Sequence, residues 1–400
     1  MKPLQKLGLA LKSRLGRIVT RGRTFIPEVD GLRFIAITAV ILFHLQTFTP
    51  NQGIAAHTLG SAVSTLLDLG RYGVQLFFIL SGFLLAMPFA NWRLGLGKRP
   101  SLRAYYLRRL TRLEPPFMIA MLGLFLLGIA VHIISGPGAA SKWPGIPQWP
   151  HFIATIFYQH NLVYGRTSPI TPVEWSLEVE VQFYLLAPLL TLPFSIRNAI
   201  TRRMVFAGVI VGSPLLRGLV SPHFWQRFDS LPVHLEFFAA GFFLADLFLV
   251  DWKQTPTRSF RWDVASLVGW PVLVTLLLFP NYSVFIAPAA LFCYVGAFRG
   301  RISSWLLSRP EVTVLGGMCY TLYLLHYTII MASNTFLRKL ALTWGFLARF
   351  ALDALIVLPM ILIVSVVFFY ICERPFMNPA WPSRTMQRLR GSPSVPLSSA

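Results

Sequence analysis

Leu32–Phe48 reads LRFIAITAVILFHLQTF, an apolar run with two ionisable side chains, Arg33 and His44. As a helix rising about 1.5 Å per residue, it crosses most of a hydrocarbon core roughly 30 Å thick. Arg33 and His44 are eleven residues apart. At about 100° per residue that is three turns plus roughly 20°, so both side chains share one face, with His44 about 16 Å above Arg33. If Arg33 marks the inner boundary, His44 lies near mid-membrane. An ionisable group there is costly, and such groups usually line a pathway or a site. The alternative is a structural histidine bonded to a neighbouring helix.

The rest of the chain has the same character. Of 400 residues, 55% are hydrophobic and 13% charged, with a mean hydropathy of +0.60. This composition fits an all-α integral membrane protein better than a string of soluble domains. Ten spans are expected, at 32–49, 71–90, 115–134, 172–193, 204–221, 232–250, 263–280, 282–298, 312–333 and 347–371. With that threading, 27 of the 36 lysines and arginines fall on one side and seven on the other. The positive-inside rule then places both termini in the cytoplasm.

The net charge of +21 is spread between apolar blocks rather than over a basic, aromatic-interleaved domain, so no nucleic-acid partner is expected. Cys293, Cys319 and Cys372 have no metal-ligand spacing, and a disulfide framework is not expected. The eight histidines form no i,i+4 pair with an acidic partner, so no metal is expected. The organisation expected is a basic tail over 1–27, a membrane domain over 28–376 and a C-terminal tail over 377–400. In the first tail, Leu4, Leu7, Leu11, Leu15 and Ile18 recur at helical spacing among basic residues, as in a helix lying on an anionic leaflet or in a flexible tail. No cleavable signal peptide is evident. The one long outward loop, 135–171, is rich in Gly, Pro and Trp and is expected to form an external cap with a short helix.

Four further clusters bear on chemistry. RAYYLRRLTRLEPP carries Arg109 and Arg112, which on a helix form a two-armed face able to grip phosphate; arginines also collect at any inner boundary. TPVEWSLEVEVQFYLL brings Glu174, Glu178 and Glu180 into an apolar helix. Glu180 shares a face with Tyr184 and is expected about 12 Å below the outer boundary, level with His44, where it would either steady an imidazolium or make a structural hydrogen bond to a tyrosine or tryptophan of a neighbouring span. Ser81-Gly82 is expected to mark close helix packing, with a serine nucleophile weakly supported. His326 is a second mid-span imidazole.

The motifs EVDGLRFIAITAVILFH, GVQLFFILSGFLL, LRRLTRLEPP, EWSLEVEVQFYLL, CYTLYLLHY and ERPF follow one another from residue 28 to 376. Together they resemble the acyltransferase 3 family, membrane-embedded O-acyltransferases of sugars and related acceptors. The resemblance implies that His44 is catalytic, in an arginine-x10-histidine motif with Arg33. It implies that Arg109 and Arg112 serve an acyl-CoA co-substrate, with acetyl-CoA the expected donor. Asp30, Trp175 and Glu180 match recurrent family positions, and Glu178 stands where many members carry a small residue. The expected partners are membrane lipid and a carbohydrate, glycolipid or secreted small-molecule acceptor, in a multi-pass protein of the bacterial inner membrane. The rival reading is a proton-coupled transporter or flippase using His44, His326 and Glu180 as a relay.

Overall fold

The computed structural model describes residues 25–49, 58–139, 149–219, 230–338, 344–378 and 381. The basic N-terminal segment and the end of the C-terminal tail lie outside them. The first helix, α1 (Pro27–Phe48), opens on a proline, whose fixed φ and missing N–H suit a helix start. Helix α2 (Leu59–Asp68) passes through a 3-10 turn into α3 (Gly73–Arg93), making one 35-residue apolar unit where a shorter span, 71–90, was expected. Helix α4 (Leu102–Ala139) begins well before the expected 115, so the arginine-rich stretch is its helical extension rather than a loop.

The expected cap is represented by two short helices, α5 (Trp149–Ile156) and α6 (His160–Tyr164), ahead of α7 (Trp175–Leu190). Helices α8 (Ala199–Leu219), α9 (Leu231–Asp246), α10 (Phe260–Leu278) and α11 (Ile286–Arg299) follow. Short α12 (Arg301–Leu307) leads to α13 (Pro310–Gly317) and α14 (Cys319–Leu337), and α15 (Phe346–Phe368) completes the bundle.

Nine helical stretches among the described residues are long and apolar enough to cross a membrane, and a tenth arises if α13 and α14 count as one span. That last pair is bent by 69°, so the expected span 312–333 is broken. A Cβ on Gly316 would lie 1.7 Å from the carbonyl oxygen of Asp30, so α13 presses its backbone onto the start of α1. Only glycine allows that approach.

The bundle's outer helices turn large apolar side chains outward, among them Leu126, Leu216, Leu267 and Ile363. Its polar residues are gathered inside, the arrangement a lipid solvent demands. At the α3–α9 crossing, Gly82 meets the backbone of Phe238 and Gly241 meets Ile79. The Ser81-Gly82 pair therefore divides its work: the glycine provides close packing, and the serine is left to make a polar contact.

Candidate functional site

Helices α1 and α14 define the site. Arg33 lies within electrostatic reach of Cys319, the first residue of α14. Further along both helices, the rings of His44 and His326 are 5.2 Å apart between centroids. The two helices thus run in the same direction, with a charged pole at their starts and an imidazole pair several turns on.

At the imidazole pole, His44 also meets Tyr327 edge-on at 5.2 Å and Phe43 at 4.8 Å. His326 is fully buried, at 0% exposure. Its Nδ1 lies 2.8 Å from the carbonyl oxygen of Tyr323 and 3.0 Å from that of Leu322. Carbonyls only accept, so Nδ1 carries the proton and Nε2 presents a lone pair. That Nε2 has no hydrogen-bond partner among the described residues. Its neighbours on α14 are satisfied: Tyr320 donates to the Leu113 carbonyl at 3.0 Å, and Tyr323 donates to that of Val173 at 2.7 Å.

At the charged pole, Arg33 donates to Asp30 at 2.8 Å, and Asp30 is buried beneath α13. Arg112 is within electrostatic reach of Glu373, Arg33 and Arg109. The Arg109 guanidinium sits over two rings, Tyr184 at 4.7 Å and Tyr105 at 4.9 Å. The two rings pack on the guanidinium, whose fork is of the kind that grips phosphate. Glu373 stands in a π-helical turn after α15 and accepts from Thr321 of α14. Sequence reasoning placed Glu373 only within the ERPF motif and did not single out Thr321, Tyr320 or Tyr327. The signal was present, since all three lie in CYTLYLLHYTII, but an apolar scan weights tyrosine and threonine lightly.

Glu180 is the main departure from expectation. Its carboxylate accepts a 2.6 Å hydrogen bond from Ser81 and interacts with Tyr184, and it lies within electrostatic reach of Arg33. Gly73 packs on Ala36 and Val40 of α1, and Ser81 lies eight residues further along α3. Ser81 is therefore about 12 Å deeper than Gly73, below His44 and near the level of Arg33. The carboxylate expected beside His44 belongs to the charged pole, and the ring beside His44 is His326.

Glu178 serves another purpose. It is fully buried, and its oxygens accept the backbone N–H of Asn161 at 2.9 and 3.0 Å. It ties the α5–α6 cap to α7 and does not face His44. Trp175 packs against His234 at 5.5 Å and Phe78 at 6.4 Å, forming an aromatic wall behind α3. Within the cap, His151 and His160 are joined at 2.9 Å and packed on Tyr164.

The sequence profile of an acyltransferase family, described as an acyltransferase domain, matches residues 26–374. The O-acetyltransferase OatA of Staphylococcus aureus strain NCTC 8325 is 25% identical over 342 residues, covering 78% of this chain and 52% of that protein. A putative O-acetyltransferase of S. aureus strain COL is 25% identical over 334 residues, covering 76% and 51% respectively. The chain spans about half the length of these curated relatives. No solved structure matches it at a significant level.

Proposed function

From a chain that belongs to the acyltransferase 3 family of membrane-embedded acyltransferases, we propose that it moves an acetyl group from cytoplasmic acetyl-CoA to a hydroxyl of an extracytoplasmic carbohydrate, glycolipid or glycosylated small molecule. The membrane would be the bacterial inner membrane, and residues 28–376 the catalytic unit. The observation that carries the proposal is the two-pole site along α1. A guanidinium cluster lies at one end, and about 16 Å away at the other lies an imidazole pair, half-buried His44 against buried His326. A CoA phosphate docks on Arg109 and Arg112, and the pantetheine arm runs along α1 toward His44. The names of the S. aureus relatives support an acetyl group and an oxygen acceptor.

In this reading His44 takes the proton of the acceptor hydroxyl as its oxygen attacks the thioester carbonyl. The carbon–sulfur bond breaks, and the proton passes to the departing sulfur. The products are the acetyl ester and CoA thiol. Arg33, held by Asp30, gives the charged pole its inner end, and Glu180 with Ser81 and Tyr184 neutralises part of its charge. Asp30, Ser81 and Glu180 thus position the donor's cradle, and Trp175 and Glu178 support α7 and the cap.

The test is free-thiol release from acetyl-CoA by purified protein in detergent, wild type beside His44→Ala, with CoA binding measured on the same samples. Release that disappears in the variant while binding persists supports the proposal. Folded protein that shows neither release nor Arg109-dependent binding overturns it in favour of transport.

A further inference from the structure

Among the described residues two histidine pairs pack ring against ring, and one calibrates the other. In the cap, His151 and His160 have centroids 5.0 Å apart and planes inclined by 36°, and their nitrogens hydrogen-bond at 2.9 Å. In the bundle, His44 and His326 have centroids 5.2 Å apart and planes inclined by 43°. The second pair has nearly the same spacing, and one of its members has a buried lone pair with nothing to accept. A polar atom left unpaired at 0% exposure carries a desolvation cost unless some state of the protein uses it.

We propose that His326 is the positioning partner of His44: its Nε2 accepts the N–H of His44, turning the other His44 nitrogen toward the acceptor hydroxyl as a lone pair. This rests on the functional reading above. The direction of the hydrogen bond is set by the fold, because the Tyr323 and Leu322 carbonyls hold the His326 proton on Nδ1. When His44 takes the hydroxyl proton, its second N–H is already directed at a neutral acceptor, so the charge is shared across two rings. The proton held by the pair leaves on the thiolate sulfur, and both rings return to neutral. His326 thus fills the place a carboxylate holds in a hydrolase triad, without adding a fixed charge beside His44.

Two substitutions separate this role from a purely structural one. His326→Asn puts an amide N–H where Nδ1 stands and keeps the tie to the α14 carbonyls, but it removes the acceptor at the Nε2 position. His326→Gln reaches the Nε2 position with an acceptor oxygen and gives up the carbonyl tie. The inference expects His326→Asn to fold and bind CoA like wild type, with kcat at least about tenfold lower and KM for acetyl-CoA little changed. His326→Gln is expected to recover most of that loss. A helix-pinning role predicts the reverse order. Transfer that is lost in His44→Ala but is as fast in His326→Asn as in wild type, or faster in His326→Asn than in His326→Gln, overturns the inference alone. Transfer that survives His44→Ala overturns the functional reading, and this inference with it.

Discussion

Ser81 Oγ donates to Glu180 Oε1 at 2.6 Å, joining α3 to α7 at the level of Arg33. The contact identifies both residues. The serine is engaged as a donor to a carboxylate, and the carboxylate faces the guanidinium pole instead of the imidazoles. A half-buried carboxylate in an apolar bundle needs such donors, because each hydrogen bond to a charged group contributes about 1.5–3 kcal/mol.

Ser81→Ala should therefore lower stability by about that amount, visible as a drop in detergent Tm. Acetyl transfer should stay within about tenfold of wild type, since Tyr184 still holds Glu180. A complete loss of transfer with unchanged Tm would instead assign the serine a covalent role.

Arg109 should not tolerate lysine. Its guanidinium is flanked by Tyr105 and Tyr184, and an ammonium neither stacks on those rings nor presents a planar fork. Losing one arm of a bidentate phosphate contact should weaken CoA binding about tenfold in Arg109→Lys. Isothermal titration of both proteins with CoA checks this, and equal affinities would remove Arg109 from the donor site.

Gly316→Ala should be among the most damaging small substitutions in the chain. The added Cβ would overlap the Asp30 carbonyl, and Asp30 holds Arg33. Overpacking of this kind costs about 1–3 kcal/mol or more, and relief by moving α1 would displace Arg33 as well. Gly123→Ala is the control, with nothing within 4 Å of its new Cβ. Comparing folded yield and CoA affinity of the two variants provides the measurement; equal behaviour would contradict the α13–α1 contact.

The cap should loosen in acid. His160 Nδ1–H donates to the Arg166 carbonyl, so its Nε2 accepts from His151 Nδ1–H and both rings are neutral. Burial pushes both histidines below their ordinary value of 6.5, and the charge of Arg166 adds to the effect. The unfolded cap then binds more protons than the folded one at mildly acidic pH. Its stability is full above about 6.5 and declines as pH falls below that value. Hydrogen-exchange protection factors over residues 149–166, corrected for the intrinsic pH dependence of amide exchange, should fall between about pH 7.5 and about pH 5.5, while α14 stays protected. Unchanged protection would mean that the pair is charged, or shared with a carboxylate.

The parts of the site that lie along one helix were legible in the sequence. Arg33 and His44 belong to α1, and Arg109 and Arg112 to α4, because helical period and hydropathy are local properties. The ten spans were legible for the same reason, with one expected span proving to be the bent α13–α14 pair. Glu180 was misplaced because depth was counted from an assumed outer boundary. The offset between α7 and α1 is instead set by packing through α3, with Gly73 on Ala36 and Ser81 on Glu180. The role of Glu178 was not legible, because its partner Asn161 lies in a cap whose path no periodicity reveals.

By itself, then, the sequence determined that this chain is a helical membrane protein, and it identified the motifs that mark its family. Those follow from the free energy of burying apolar side chains and backbone hydrogen bonds in lipid, which each segment expresses alone. Only the tertiary structure decided which residues meet. His326 is the neighbour of His44, Glu180 belongs to Arg33, and His326 Nε2 has no hydrogen-bond partner among the described residues. Those pairings depend on the relative height, rotation and bending of helices far apart in the chain, and it is close packing between them that sets all three.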